Sequence, residues 1–325
     1  METVRFLIKA AITVTILFAC FYLVDIDELG SALTMAEPRY LIMTILITVL
    51  GTIIVPALLT WNALHVERLT LSLGRLVMIN FAMRFYMLVL PRPVSLGMRW
   101  MRYKQGGTGY DALALMVFER IVQLLVYSFS ATLLLGLSMQ SLPDYGGYVW
   151  LMAAITFLVA LLGIAPFFST LANRLLGWIV ERCQRFMPRF LHRGLEKLLD
   201  AVAVFHKLTA MRILFVVACS LAGYILLVAA SWVLMQTMNF SIPLLGLAWI
   251  RSTVFLIAQI PLTVGGIGLR EAGFIGLLGM YGVSEHDALA FSLLFLCMHI
   301  LIGLFGVSYD GFRWLFNKTE KVVGE

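Results

Sequence analysis

The sequence predicts an all-α polytopic membrane protein with about six full spans and two broken, re-entrant helical hairpins in two inverted repeats. The composition is the first observation behind this prediction: of 325 residues, 61% are apolar and 13% are charged. Soluble domains are about half apolar and a quarter charged. Lipid must therefore surround most of the chain, which excludes a cytosolic enzyme, a nucleic-acid-binding protein and a secreted disulfide scaffold.

Long uncharged runs are the second observation, because a helix needs roughly 20 apolar residues to cross the hydrocarbon core. Six segments meet this length: 5–24, 41–60, 111–137, 148–168, 211–238 and 287–309. Two other apolar regions, 76–107 and 243–281, are interrupted by Pro91 and Pro261. Proline cannot continue a helix, and non-helical backbone survives at membrane depth only inside protein or along a wet cavity. These two regions are therefore predicted to be re-entrant.

An ordered set of matches between the interrupted regions is the third observation. Arg84, Pro91, Gly97, Arg99 and Asp111 correspond in order to Arg251, Pro261, Gly268, Arg270 and Asp287. The first repeat, 1–147, comprises spans 5–24 and 41–60, region 76–107 and span 111–137. The second, 148–325, comprises span 148–168, the polar segment 169–210, span 211–238, region 243–281, span 287–309 and a tail. The halves cross the membrane in opposite directions, as in transporters whose broken helices form the binding site near the midplane.

Basic residues predict the orientation, because cytoplasmic loops carry an excess of Lys and Arg. Nearly all loop Lys and Arg residues, Arg99 among them, fall on one side, which places both termini and the 169–210 segment in the cytoplasm. This segment is predicted to be an amphipathic surface helix pair on the inner leaflet. The alternative is a surface that recruits lipid headgroups.

Ionisable residues within the membrane segments indicate the candidate site. Inserting each of them into the membrane costs roughly 2.5–3.5 kcal/mol on insertion scales, so such residues usually have a function. Arg84 and Arg251 have no acidic neighbour in sequence and precede the two breaks, so both are predicted to face a shared cavity. Guanidinium binds phosphate bidentately, which favours an anionic lipid headgroup as the ligand. The full predicted set is Arg84, Arg251, Arg270, Glu271, Glu119, Arg120, Gly265, Gly266, Gly268, Pro91 and Pro261.

Two features of this set have alternative interpretations. The glycine-rich turn before Arg270 and Glu271 predicts a helix N-terminus whose N–H groups and dipole attract an anion. Alternatively, the neighbouring pairs Glu119–Arg120 and Arg270–Glu271 neutralise partners on adjacent helices and only stabilise the fold. The sequence contains no Ser/His/Asp, P-loop or zinc motif, so we expect no catalytic residue, no metal and no cofactor.

Several of these stretches resemble the transmembrane region of the lysylphosphatidylglycerol synthase family, the flippase half of multiple peptide resistance factors. They are residues 259–271 (QIPLTVGGIGLRE), Gly282-Val, Asp287-Ala-Leu-Ala, Leu90-Pro91, Gly97, Arg102, Gly107 and Phe118-Glu-Arg. The resemblance implies a multi-pass protein of the bacterial inner membrane that moves lipids between leaflets, without the soluble aminoacyl-transferase domain. The family usually has an acidic residue where this chain has Met98.

The leading hypothesis is a lipid translocator for an anionic or phosphate-bearing lipid, with no enzymatic activity. A homo-oligomer and a separate lipid-synthesising enzyme are the further partners considered. The alternative is a membrane-embedded transferase, or an accessory subunit, that acts on polyprenyl-phosphate-linked sugars. It would use Glu119, Glu271 and Asp287 as acid or base groups, but these fall in different layers of the predicted topology, which favours transport.

Overall fold

A computed structural model describes residues 37–64, 70–90, 92–107, 109–138, 169–182, 209–238, 241–260, 263 and 266–322, with isolated positions between 148 and 165 and residue 199. All regular secondary structure in these ranges is helical, which confirms the predicted all-α polytopic class. Predicted span 5–24, nearly all of span 148–168, most of segment 169–210, and Pro91, Pro261 and Gly265 lie outside the described residues.

The structure describes ten α-helices and one π-helical segment. In chain order they are α1 (Pro38–Val49), a π-helical segment (Leu50–Ile54), α2 (Val55–Leu64), α3 (Leu73–Val89), α4 (Arg92–Lys104), α5 (Gly109–Ser138), α6 (Thr170–Arg182), α7 (Ala210–Gln236), α8 (Leu244–Ile257), α9 (Leu269–Gly279) and α10 (Glu285–Val322).

Four helical stretches in the described part are long and apolar enough to cross a membrane: Pro38–Ala63, Gly109–Ser138, Ala210–Gln236 and Glu285–Tyr309. The first joins α1, the π-helical segment and α2. The four coincide, within a few residues, with the predicted spans 41–60, 111–137, 211–238 and 287–309. Large apolar side chains on their outer faces are exposed, among them Ile42, Leu133, Leu214 and Phe305. This exposure is expected of helices in contact with lipid.

Each of the two interrupted regions forms two short helices. α3 ends at Leu90, which is extended with φ −97° and ψ 150°, because a residue that precedes proline disfavours the helical conformation. α8 ends at Ala258, and α9 begins after Gly268, whose φ is +89°. The breaks therefore lie where the sequence predicts them. The re-entrant course of these helices and the inverted relation of the halves remain predictions.

A short helix of each half packs against a long helix of the other half: α3 packs against α10, and α8 packs against α5. The two crossings use different contacts. At the first, Gly306 lies so close to α3 that an added Cβ would be 2.3 Å from the carbonyl carbon of Phe81. At the second, the rings of Tyr127 on α5 and Phe255 on α8 stack with centroids 3.8 Å apart. A break-flanking helix of each half thus packs on a long helix of the other half, while the two pairs of break-flanking helices contribute to separate buried apolar clusters.

Candidate functional site

Arg84, on α3, is tethered to an irregular part of the preceding span. Its Nη2 donates to the Thr52 carbonyl at 3.1 Å, and Asn80, one turn earlier, donates to the Ile53 carbonyl at 3.1 Å. Both carbonyls belong to the π-helical segment, and such segments often occur at functional sites. A carbonyl carries no net charge, and no acidic side chain in the described residues pairs with Arg84. Arg84 is therefore held in place without being neutralised.

Arg251, on α8, is held by aromatic rings. Its guanidinium carbon lies 4.6 Å from the ring centroid of Phe295 and 5.7 Å from that of Phe274. Cation–π contacts of this kind stabilise a positive charge by about 0.5–2 kcal/mol. Within the described part of the chain, Arg251 has no hydrogen bond and no acidic partner. Its charge is therefore available to an anion.

The structure places these two arginines in one electrostatic neighbourhood, which we call the central site. Arg84 lies within electrostatic range of Arg251, and the Tyr127 hydroxyl lies within electrostatic range of both guanidinium groups. His299 lies among the same cations, with Nδ1 2.7 Å from the Phe295 carbonyl. The site thus concentrates positive charge, which a polar ligand of opposite sign would offset.

Tyrosines line the central site, and sequence analysis did not select them. The Tyr127 and Tyr224 rings meet edge to face at 5.4 Å. The Tyr224 hydroxyl donates to the Ala248 carbonyl at 2.9 Å and accepts from Ser252 at 3.0 Å. Two tyrosines in the middle of long apolar helices were the available signal, because a buried phenol needs a hydrogen-bond partner.

Glu119 is neutralised by a different arginine from its sequence neighbour. Arg99 on α4 donates to its Oε2 at 2.6 Å, and Thr60 on α2 donates to its Oε1. The Arg99 guanidinium also donates to the Tyr103 hydroxyl at 2.8 Å. This pair is buried, with 17% of the Arg99 side chain and 6% of the Glu119 side chain exposed. Glu119 therefore joins α2, α4 and α5.

This geometry corrects the assignment of Arg99 to the loop residues that only set orientation. Arg99 forms a buried ion pair with a membrane-span carboxylate. Arg120 does not share this pair, because successive helix residues point about 100° apart. It is exposed, donates to Gln123 at 3.4 Å and lies 5.7 Å from the Phe255 ring centroid.

Glu271 is fully buried and interacts mainly with its own helix end. Its carboxylate accepts from the Gly268 N–H at 2.6 Å, from Arg270 Nε at 3.0 Å and from Ser292 on α10 at 3.3 Å. The Gly268 N–H at the start of α9 is thus bonded to an internal carboxylate and is not open to an external anion. Arg270 pairs with this same carboxylate rather than with an acid on a neighbouring helix.

Two glycines of the predicted set shape the turn before α9. Gly266 and Gly268 have φ values of +79° and +89°, a region that side chains disfavour. A Cβ on Gly266 would also lie 3.1 Å from the Ala258 carbonyl oxygen. These positions require glycine for the backbone path. Their role in ligand binding, like that of the charged residues, remains a prediction.

The family model described as the lysylphosphatidylglycerol synthase TM region matches residues 6–306 of the chain. The matched range contains both broken regions and every residue of the central site. A comparison with curated proteins finds no match. Because the family match covers nearly the whole chain, this multi-pass membrane protein belongs to the lysylphosphatidylglycerol synthase transmembrane-region family, which indicates a role connected with membrane lipids.

Proposed function

We propose that the protein is a lipid translocator that moves an anionic or phosphate-bearing lipid between the leaflets of the bacterial inner membrane. One observation carries the proposal: Arg84 and Arg251, from the two broken regions, share one site and contact no acidic side chain in the described residues. Two neighbouring cations at membrane depth repel each other, and an anion between them would offset that cost.

The two buried carboxylates support this proposal, because both already pair with other arginines. Glu119 is already paired with Arg99, and Glu271 with Arg270, so both carboxylates are committed to internal contacts. A phosphate that enters the central site therefore meets two cations without competition from a neighbouring carboxylate. The Tyr127 hydroxyl, a hydrogen-bond donor, lies within electrostatic range of both.

Transport requires the headgroup to pass the membrane interior while the acyl chains stay in the bilayer. The inverted repeat predicted from the sequence suits this task, because rocking of one half against the other exposes a fixed midplane site to alternate sides. The packing of α3 on α10 and of α8 on α5 supports this idea, because a two-fold axis between the halves would convert one contact into the other.

The test uses the full chain in liposomes that contain a fluorescent phosphatidylglycerol, with dithionite quenching to report the fraction of probe in the outer leaflet. We expect faster redistribution than in protein-free vesicles. We expect Arg251→Gln to slow it by roughly ten- to a hundred-fold, as for loss of a charge-assisted contact of about 1.5–3 kcal/mol.

The matched control is Arg39→Gln, because Arg39 is an exposed arginine at the start of α1, with 69% of its side chain accessible. It should redistribute the probe as fast as the wild type. Redistribution equal to that of protein-free vesicles across anionic and zwitterionic headgroups would exclude translocation.

A further inference from the structure

A groove runs along the hairpin of α4 and α5, outside the central site. It has a volume of about 740 Å³ and mainly apolar walls, which include Leu96, Leu113 and Val117. Binding sites for small molecules typically have volumes of roughly 300–1,000 Å³. The groove is thus large enough to hold part of a lipid.

The helical repeat of α4 creates this groove. Ser95, Arg99 and Tyr103 recur every four residues on the inward face, where the ion pair of Arg99 with Glu119 fixes the rotation of α4. Leu96, Trp100 and Lys104 form the adjacent stripe, which lines the groove. The Trp100 Nε1 donates to the Gly109 carbonyl at 2.6 Å and closes the loop end of the hairpin.

The charges along the groove are all of one sign. Its lining includes Lys104 and Arg120 and no acidic residue. Lys104 is exposed at the loop end, with its amine 5.2 Å from the Trp100 ring centroid, and Tyr110 lies at the same end. Lysine with tryptophan and tyrosine is typical of the membrane–water interface. The loop end of the groove therefore suits a negatively charged headgroup.

Arg120 supplies the second cation at a greater depth. Ten helical residues separate it from Tyr110, a rise of about 15 Å, which is half of a hydrocarbon core of roughly 30 Å. Arg120 also contacts Phe255, whose ring stacks on Tyr127 of the central site. The deep end of the groove thus adjoins the central site.

We propose that the α4–α5 groove is a lateral docking site for a membrane lipid with a net negative headgroup. Lys104 binds the headgroup phosphate at the membrane surface, and one acyl chain lies against Leu96, Leu113 and Val117. Arg120 is the next cation that the phosphate meets on its way to the central site; this last step rests on the proposed function, whereas docking does not.

The test is photo-labelling of the full chain in nanodiscs of phosphatidylcholine with a small fraction of phosphatidylglycerol that carries a diazirine on one acyl chain. Mass spectrometry then locates the labelled residues. We expect labelling at the segment 113–117 and a reduction of about five-fold for Lys104→Gln, as for one lysine that contributes about 1 kcal/mol near an anionic surface.

Two tryptophan variants distinguish the groove from the general lipid-facing surface. Leu113→Trp fills the groove and should reduce labelling of its walls. Leu133→Trp adds the same side chain at an exposed position of α5 beyond the groove and should not. Equal labelling by a diazirine phosphatidylcholine, or labelling unchanged in both Lys104→Gln and Leu113→Trp, would overturn the docking site. If labelling follows the expected pattern while liposomes show no lipid movement, the docking site stands and the proposed function fails.

Discussion

The two broken regions contain corresponding arginines that are held in different ways. In the first region, Arg84 is bonded to the π-helical segment, and Arg99 joins three helices through Glu119. In the second, Arg251 rests on two aromatic rings, and Arg270 pairs with the next residue of its own helix. Similar sequences therefore form an ion pair that joins several helices in the first region and an ion pair within one helix in the second. We therefore expect the first region to contribute mainly to stability, and Arg251 to be the less constrained of the two cations in the proposed function.

The largest expected effect comes from breaking the buried ion pair between Arg99 and Glu119 in the first region. Glu119→Gln leaves the buried Arg99 without its counter-charge, and removal of one partner from such a pair typically costs about 3–5 kcal/mol. We expect a loss of this size in the free energy of unfolding, measured by SDS titration in mixed micelles.

Two further variants complete this experiment. Arg99→Met combined with Glu119→Gln should recover most of the loss, because no unpaired buried charge remains. Glu37→Gln removes one partner of an exposed pair of the same 2.6 Å length, and it should cost at most about 1 kcal/mol. A loss for Glu119→Gln as small as that for Glu37→Gln would contradict the structural role of the first region.

A smaller effect is expected at the crossing that places α3 against α10. Gly306→Ala introduces a Cβ 2.3 Å from backbone of α3, and overpacking of this kind costs about 1–3 kcal/mol. Gly276→Ala is the matched control, because a Cβ there meets nothing within 4 Å. The same titration should show destabilisation for the first variant and none for the second. Equal stability of the two variants would show that the crossing is not close-packed.

The smallest effect concerns the stability of the two corresponding arginine variants. Arg84→Met loses the bond to the Thr52 carbonyl, whereas Arg251→Met loses only contacts with aromatic rings. We therefore expect Arg251→Met to be more stable than Arg84→Met by about 1 kcal/mol, the difference between a hydrogen bond from a charged group and a cation–π contact. The reverse order in SDS titration would remove the distinction between the two arginines.

The fold class and the breaks could be predicted because they depend on local features of the chain. Apolar length gives the spans, and proline and glycine interrupt helices wherever they occur, as they do near Leu90 and Gly268. The family resemblance was likewise present in short stretches, and the family match over residues 6–306 confirms it.

Pairing of the charges could not be predicted in the same way, because it depends on how helices rotate and pack. Arg99 and Glu119 are 20 residues apart, and only the α4–α5 hairpin places them 2.6 Å from each other. Likewise, the hydrogen bond between Arg84 and Thr52 requires the irregular carbonyl of a π-helical segment. The sequence does not single out Tyr127, because its proximity to Arg84 and Arg251 depends on how separate helices pack.

The central claim is that Arg251 acts through its positive charge on a lipid phosphate. In a variant with the four native cysteines replaced, Arg251→Cys should lose lipid redistribution in liposomes. Modification with a cationic methanethiosulfonate reagent should restore it, and modification with an anionic reagent of similar size should not. Restoration by both reagents, or full activity of the unmodified Arg251→Cys variant, would contradict the account.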